Sequence, residues 1–302
     1  MKLRFMIKSA RIIVKVYITL IFIMGVLSFN IARAEGLNHV KKSGTLRHLG
    51  IPYANFVTHD HDGLDIALMK AFAKDLGVKY QFVESTWQTI IADLSGKKVK
   101  PVGNDIQILG KARIKGDIIS TGFTVLPWRK KIVDFSAMTF PSEIWLIARG
   151  DTQLTPISPT GVIAKDIDKV KELLNGFSVL GLKDSCLDPN SYGIKKTGAK
   201  ILYFSADHDL SGMIPSVIAE VADATLMDVP VALVALAKWP GKIKVIGPLS
   251  QPQDMACAFS KNSPKLKQAF DIFFEKFKTS GEYRKLVETY YPSVFTYYPN
   301  FL

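Results

Sequence analysis

Residues 116–136 read Gly-Asp-Ile-Ile-Ser-Thr-Gly-Phe-Thr-Val-Leu-Pro-Trp-Arg-Lys-Lys-Ile-Val-Asp-Phe-Ser and join a short apolar strand to the first turn of a helix. Ile118 and Ile119 are typical of a buried strand, and Pro127 has the fixed backbone angle that suits a helix start. Arg129 would then project from the first helical turn. Its planar fork of donors matches both oxygens of a carboxylate, a geometry that lysine cannot reproduce. The segment therefore predicts a binding site for a small anion at a strand-to-helix corner.

The rest of the chain alternates short apolar strands with amphipathic helices from Thr45 onward, which is typical of a layered α/β architecture. The 302 residues are 48% apolar, enough for one large or two medium domains with real cores. Residues 96–116 are rich in Lys and Gly and predict a loop or hairpin excursion. A second run of strands and helices begins near Ile144, and a domain boundary is expected there.

The N-terminal residues 1–34 have the order of a secretory signal peptide. A basic start is followed by an uncharged apolar stretch from Val16 to Phe29, which predicts cleavage after Ala34. An uncleaved anchor is the alternative, but the apolar stretch is short for a bilayer, where about 20 residues are needed. No cysteine follows it, so the usual lipid attachment site is missing. The mature protein is expected to be soluble in the periplasm.

Charge and cysteine content exclude several classes of function. Residues 1–34 carry six bases and no acid, so their removal lowers the formal charge from +12 to +6. That excess is modest, and no basic stripe interleaved with aromatics indicates a nucleic-acid partner. No phosphate-binding Gly-rich loop occurs, so neither ATP hydrolysis nor a cofactor is expected. Cys186 and Cys257 could pair in an oxidising compartment, but they are expected in different parts of the molecule, which favours two free thiols.

Three segments, in this order and at this spacing, are similar to motifs of a known family. They are Gly63–Val78, the run Thr124-Val-Leu-Pro-Trp-Arg129 with Val133-Asp-Phe-Ser136, and Asp223–Ala232. The first resembles the family's first helix, the second its ligand-carboxylate motif, and the third the segment whose acid holds the ligand's amino group. Nearly the whole mature chain resembles an extracytoplasmic solute-binding protein of the polar amino-acid type (bacterial family 3), a class related to ionotropic glutamate-receptor ligand domains.

The resemblance implies an α/β, two-lobed periplasmic-binding-protein-like fold of type II with two crossing hinge strands. The ligand would be enclosed between the lobes by hinge closure, as in a Venus flytrap. Lobe I would comprise residues 35–141 plus 253–302, and lobe II residues 142–252. The chain would be a monomer that binds its ligand without changing it chemically.

The resemblance also implies which side chains contact the ligand. These are Arg129, Thr124, Gly122, Asp228, Tyr53, Trp87, Ser185 and Cys186. Arg129 would grip a carboxylate, helped by the hydroxyl and backbone of Thr124 and by the carbonyl of Gly122. Asp228 would take the ammonium group from the second lobe. Tyr53 and Trp87 match aromatic wall positions, while Ser185 and Cys186 match hydroxyl residues at a helix N-terminus, a natural place for an anion.

Several departures from the family pattern concern the ligand. Gly50 stands where members that bind basic amino acids carry an acid, which disfavours lysine or arginine as ligand. Asp184 replaces a glycine beside Ser185 and adds negative charge near the carboxylate end. The excursion at 96–116 and the stretch 152–176 look longer than usual. These departures indicate a divergent subfamily and leave open a ligand other than a standard amino acid.

Simpler structural interpretations remain for the main site residues. Arg129 could be a surface residue paired with Asp134. Asp228 could be a helix N-cap, which is compatible with a ligand role. Tyr53 and Trp87 could be ordinary core aromatics.

Two further residue groups contain side chains that can bind metals or act as nucleophiles. The run His59-Asp-His-Asp62 contains metal-ligand types, but adjacent residues seldom converge on one ion, and no metal site is expected. Cys186 could be a nucleophile, although no motif places a histidine to activate it.

The main functional prediction is capture of a small amino-acid-like or carboxylate solute for delivery to an ABC transporter permease. Two alternatives remain. A periplasmic dehydratase acting on a cyclic carboxylic acid would need a general acid, for which Asp184 and Asp228 are the candidates. A sensory accessory protein would instead hand its closed form to a membrane receptor or kinase.

Overall fold

The computed structural model describes residues 36–183, 185–205 and 212–302. The predicted signal peptide and Asp184 therefore lie outside the described residues. Within those ranges, no helix combines the length and the apolar character that a bilayer span requires.

Strands and helices alternate along most of the described chain. The strands are β1 (Thr45–Gly50), β2 (Lys79–Glu84), β3 (Lys97–Val102), β4 (Asp105–Lys111), β5 (Ile118–Ile119), β6 (Val133–Ser142), β7 (Ile144–Arg149), β8 (Ser178–Gly181), β9 (Lys200–Tyr203), β10 (Ala224–Asp228), β11 (Ile243–Pro248) and β12 (Gln253–Ser260). The α-helices are α1 (Leu37–Ser43), α2 (Leu64–Leu76), α3 (Ile90–Ser95), α4 (Pro127–Lys130), α5 (Ile163–Glu172), α6 (Met213–Ile218), α7 (Val229–Lys238), α8 (Pro264–Thr279), α9 (Glu282–Tyr290) and α10 (Val294–Tyr297).

Two five-stranded sheets share one topology. The first has the order β2-β1-β5-β12-β6 and the second the order β9-β8-β10-β7-β11. In each, the three strands at one end run parallel, and an antiparallel strand is inserted before the last one. The inserted strands, β12 and β7, each lie next to a crossing between the sheets. The molecule therefore has two similar α/β lobes of the predicted type.

The chain crosses between the sheets at Glu143 and again at residues 249–252. These two crossings lie side by side, because Leu249 N donates to the Ile144 carbonyl at 2.7 Å. Glu143 is buried and accepts hydrogen bonds from Trp145 Nε1 at 2.7 Å and from the Tyr298 hydroxyl at 2.9 Å. Burial raises the pKa of Glu143. The C-terminal segment thus packs against the hinge.

Helix α2 shows why the sequence folds as it does in the first lobe. Its apolar residues at four-residue steps, Leu64, Leu68 and Phe72, are fully buried. Gly77 ends the helix in the left-handed conformation at φ 70° and donates its N–H to the last turn. The buried Phe72 ring meets the Phe270 ring edge-on at 5.2 Å, which joins α2 to α8 in one core.

The segment at 84–116 differs in detail from the sequence expectation. The apolar pattern from Thr86 to Leu94 predicts a helix over those residues, but the helix begins only at Ile90. The Thr86 and Thr89 hydroxyls hydrogen bond to each other at 3.0 Å, and such local bonds compete with helical pairing. The excursion that follows is the predicted hairpin, since β3 and β4 pair antiparallel in a two-stranded sheet of their own.

Candidate functional site

Arg129 is held at its predicted corner by its own lobe. Helix α4 begins with Pro127 at its first position, as the sequence predicts. The Arg129 Nη1 atom donates to the Thr124 carbonyl at 2.8 Å, and the guanidinium carbon lies 4.0 Å from the centroid of the Phe123 ring. Asp134 instead pairs with Lys261 at 2.8 Å. The interpretation of Arg129 as the ion-pair partner of Asp134 is therefore wrong.

The loop before this corner depends on a glycine and on a buried acid. Gly122 has φ +59°, and a Cβ there would lie 2.4 Å from Phe56 Cδ2, so a side chain is excluded. Its N–H donates to Asp65 Oδ2 at 2.7 Å. Burial raises the pKa of Asp65 to about 7. Asp65 was not predicted from the sequence, although an acid within the apolar face of an amphipathic helix is a recognisable signal.

Two aromatic side chains form a wall beside this loop. The Tyr53 and Trp87 rings meet edge-on with centroids 5.6 Å apart, and Tyr53 stacks on Phe56 at 6.0 Å. Trp87 is 42% exposed, so it is not a core aromatic. Tyr53 is partly exposed, and a Cβ on Gly122 would approach its ring to 3.0 Å. Tyr53, Trp87 and Gly122 therefore lie together on the first lobe.

Asp228 reaches the same place from the second lobe. It ends β10 and is the N-cap residue of α7, where the Val231 backbone N–H lowers the pKa of its carboxyl group. Its Oδ2 atom accepts a hydrogen bond from the Tyr53 hydroxyl. Burial raises the pKa of Asp228 to about 6, while the Tyr53 hydroxyl opposes the rise. Because Tyr53 belongs to the first lobe, this bond joins the two lobes.

Ser185 and Cys186 lie in a turn, not at the N-terminus of an α-helix. The Ser185 hydroxyl donates to the Leu182 carbonyl at 2.8 Å and accepts from Leu187 N at 3.0 Å, so it closes its own turn. Cys186 is exposed as a whole residue, but protein atoms around its sulfur desolvate the thiolate and raise the thiol pKa to about 11. Asp228 adds to the rise and Arg129 opposes it. The thiol therefore lies close enough to both charges for each to affect its pKa, and it is protonated at neutral pH. A role for Cys186 as a nucleophile is disfavoured.

Three buried polar atoms in this region have no hydrogen-bond partner among the described residues: Arg129 Nε, Asp228 Oδ1 and Asp65 Oδ1. The first two belong to groups of opposite charge on the two lobes. Burial lowers the pKa of Arg129 to about 10, which leaves it charged at neutral pH. Buried charged atoms without partners are costly in a folded protein and are normally satisfied by a ligand or water. The arrangement suits a small molecule that carries an anionic and a cationic group.

The remaining sequence candidates lie elsewhere. The His61 ring packs 4.8 Å from the Phe82 ring, and Asp62 accepts a hydrogen bond from the Tyr290 hydroxyl at 2.7 Å. The described part of the chain contains no group of three or more metal-ligating side chains. Cys186 and Cys257 are both free, and Cys257 is buried in β12.

Comparison with solved structures identifies several similar chains. A mutant of ArgBP from T. maritima is 23% identical with a TM-score of 0.61 over 85% of this chain and 99% of its own. The ancestral amino acid-binding protein AncCDT-1, described as a precursor of cyclohexadienyl dehydratase, is 26% identical with a TM-score of 0.62 over 84% and 99%. An amino acid ABC transporter substrate-binding protein from Streptococcus pneumoniae, bound to L-arginine, is 22% identical with a TM-score of 0.59 over 85% and 97%.

A curated protein also matches at low identity. The membrane-bound lytic murein transglycosylase F of Desulfosudis oleivorans is 23% identical over 237 residues, which are 78% of this chain and 45% of that protein. The chain thus spans less than half the length of this relative.

A family model extends over most of the described chain. The model of the bacterial extracellular solute-binding proteins, family 3, matches residues 48–113 and 107–293. The solved structures agree with it in fold, since they are type II periplasmic binding proteins with two lobes. This chain belongs to the bacterial extracellular solute-binding proteins, family 3.

Proposed function

We propose that this protein captures a small amino-acid-like or carboxylate solute between its lobes and delivers it to an ABC transporter permease. Arg129 binds the carboxylate and Asp228 binds the ammonium group. The observation that carries the proposal is the pair of buried, unpartnered atoms, Arg129 Nε and Asp228 Oδ1. A ligand that satisfies both atoms binds the closed form better than the open form and so shifts the equilibrium towards closure.

The other predicted residues have supporting roles. Gly122 and Thr124 shape the loop that carries Arg129, since the Thr124 carbonyl accepts from the guanidinium. Tyr53 and Trp87 present aromatic faces to the ligand's apolar part. Cys186 lines the second-lobe side, and the Ser185 hydroxyl holds the turn that positions it.

The ligand we propose is not a basic amino acid. ArgBP and the Streptococcus pneumoniae protein are arginine binders, but each is less than 25% identical to this chain. The chain carries Gly50 where binders of basic amino acids have an acid. A Cβ at Gly50 would lie 2.6 Å from the Phe82 ring, so the packing leaves no room for an acidic side chain. A neutral zwitterion or an organic acid fits the site better.

The cellular setting follows from the N-terminal sequence and the family. We propose that residues 1–34 are a signal peptide cleaved after Ala34 and that the mature monomer works in the periplasm. Lobe I comprises residues 35–141 plus 253–302, and lobe II residues 142–252. These boundaries are supported by the two crossings, at Glu143 and at residues 249–252, where hydrogen bonds tie the connections together.

Mass spectrometry of the small molecule that co-purifies with the protein tests the proposal first. A thermal-shift screen of amino acids and organic acids follows, because a ligand that binds only the folded state raises the melting temperature by mass action. We expect a carboxylate-containing hit whose binding is measurable by calorimetry. The proposal is wrong if no carboxylate raises the melting temperature and none co-purifies.

A dehydratase is the second candidate. Asp228, buried beside the Tyr53 hydroxyl, has a pKa of about 6, which suits a general acid. AncCDT-1 is itself an amino acid-binding protein, but it is described as a precursor of cyclohexadienyl dehydratase. Incubating purified protein with cyclic hydroxy acids and following loss of water by mass spectrometry separates the two. Turnover abolished in Asp228→Asn would establish the enzyme, whereas an unchanged acid favours the binding protein.

A further inference from the structure

The hairpin formed by β3 and β4, with residues 112–115 after it, is a two-stranded sheet of its own beside the first lobe. It is anchored to that lobe, because Val99 and Ile106 pack on the apolar cluster that contains Ile90, Leu94 and the first-sheet residue Ile119. The Lys115 N–H also donates to the Asp93 carbonyl at 2.7 Å. The remainder of the hairpin is largely exposed. The hairpin is therefore fixed to the first lobe through a few side chains and otherwise faces solvent.

The hairpin has a high net positive charge for its length. Residues 97–115 contain six bases and one acid, a net +5, against +6 for everything after residue 34. Lys115 pairs with Asp93 at 3.0 Å. The other five bases form no ion pair within the described part of the chain, and all five are exposed: Lys97, Lys98, Lys100, Lys111 and Arg113. Exposed like charges at this density create a field that attracts an anionic surface.

Large apolar side chains stand among these bases. Val102 at the hairpin tip is 58% exposed, and Ile108 and Leu109 are 57% and 59% exposed. Single exposed apolar residues are ordinary, but three on one basic ribbon match segments that lie at a membrane interface. There the bases contact headgroups and the apolar side chains enter the acyl boundary. A second copy of the chain is a poor occupant, since two ribbons of net +5 repel each other.

We propose that this hairpin docks the protein on a bilayer that carries anionic phospholipid headgroups. The exposed bases attract the surface, and Val102, Ile108 and Leu109 insert at the boundary. Each Lys or Arg near an anionic surface contributes on the order of 1 kcal/mol, so five of them support reversible attachment. Docking would keep the protein at the membrane surface, where the proposed permease lies, whether or not a ligand is bound between the lobes.

Vesicle co-sedimentation tests this docking on the chain from residue 35 onward, which contains both complete sheets. The vesicles are phosphatidylcholine alone or phosphatidylcholine mixed with phosphatidylglycerol. One variant neutralises bases (Lys98→Gln, Lys100→Gln, Arg113→Gln), and one removes apolar side chains (Ile108→Ser, Leu109→Ser). A matched control neutralises three exposed lysines on the second lobe (Lys195→Gln, Lys196→Gln, Lys200→Gln). Equal melting temperatures verify that all variants are folded.

We expect sedimentation with anionic vesicles only, lost as salt rises. Neutralising the three hairpin bases lowers binding by about tenfold or more. Removing the two apolar side chains lowers it by about threefold or more, and the second-lobe control changes it by less than about twofold. Equal binding to neutral vesicles, no binding to anionic vesicles, or equal losses in the hairpin and control variants would overturn the proposal. Unchanged binding after Ile108→Ser and Leu109→Ser would overturn the insertion.

Discussion

The two walls of the cleft hold their charges in different ways. On the first lobe, Arg129 is fixed by its own neighbours, the Thr124 carbonyl and the Phe123 ring. On the second lobe, Asp228 is contacted by Tyr53, which belongs to the opposite lobe. The position of Arg129 therefore does not depend on the other lobe. The hydrogen bond from Tyr53 to Asp228, in contrast, forms only when the lobes are in contact.

This difference assigns separate tasks to the two charges. A preformed guanidinium loses little conformational entropy on binding, so it should set the affinity for every carboxylate ligand. Asp228 should select ligands with an ammonium group and couple their binding to closure. Substitutions at Arg129, Asp228 and Tyr53 separate these tasks.

Arg129→Ala should cause the largest loss. Removing one partner of a buried charged pair costs about 2–5 kcal/mol or more, since the ligand carboxylate stays desolvated without its partner. We expect the Kd of the co-purifying ligand, measured by calorimetry, to rise by about 30-fold or more. Lys130→Ala is the matched control, because Lys130 is the exposed neighbour in the same helix. An Arg129→Ala variant that binds as the control does would exclude Arg129 from the site.

Asp228→Asn should weaken zwitterions selectively. Hydrogen bonds to charged groups contribute about 1.5–3 kcal/mol, so the Kd for a zwitterion should rise about 10- to 100-fold. A matched carboxylic acid without the amino group should change by less than about threefold, since it makes no ion pair with Asp228. Asp254→Asn, an exposed acid on β12, is the control. Equal losses for both ligands would contradict the assignment of the ammonium group to Asp228.

The affinity for a zwitterion should fall below about pH 6. Burial raises the pKa of Asp228 to about 6 in the free protein, and only the ionised carboxylate attracts an ammonium group. Protonation therefore competes with the ligand, and Kd should rise towards tenfold per unit as pH falls below the pKa. Calorimetry from about pH 7.5 to about pH 5, on both sides of the Asp228 pKa, measures this slope.

The same titration in Asp228→Asn identifies its source. Asp65 has a pKa of about 7 and supports the Gly122 loop, so it could contribute a second slope. A slope that persists in Asp228→Asn would belong to Asp65 and would contradict the pH assignment to Asp228.

Tyr53→Phe should have the smallest effect. The Tyr53 hydroxyl lowers the pKa of Asp228 and joins the lobes, so its loss should raise Kd about two- to fivefold and move the pH midpoint upwards. Tyr297→Phe, a partly exposed tyrosine at the C-terminus, is the control. Tighter binding in Tyr53→Phe would mean that the hydroxyl competes with the ligand, contrary to a supporting role.

Local sequence signals predicted the first-lobe corner well. Pro127 fixes the helix start, and Arg129 then has one direction in which to project, so a few neighbouring residues determine this geometry. Helix α2 was equally predictable, because its apolar period is strong and Gly77 ends it. The family resemblance and the two-lobed fold are confirmed by the family model and by the solved structures.

The contacts between distant segments could not be predicted. Nothing near Tyr53 indicates that its hydroxyl meets Asp228, 175 positions away. Glu143 and Tyr298 meet at the hinge across 155 positions for the same reason. The hydrogen bonds of Ser185 were also not predicted. Its hydroxyl closes a tight turn by bonding to the Leu182 carbonyl and the Leu187 N–H. These contacts are determined by tertiary packing, so the local sequence around each residue does not predict them.

A crystal structure of the complex with the co-purifying ligand would show whether Arg129 and Asp228 hold the ligand. We expect a carboxylate within hydrogen-bond distance of Arg129 Nε and, for a zwitterion, a cationic nitrogen on Asp228 Oδ1. A ligand bound outside the interlobe cleft, or one that leaves both of these atoms without a partner, would contradict this expectation.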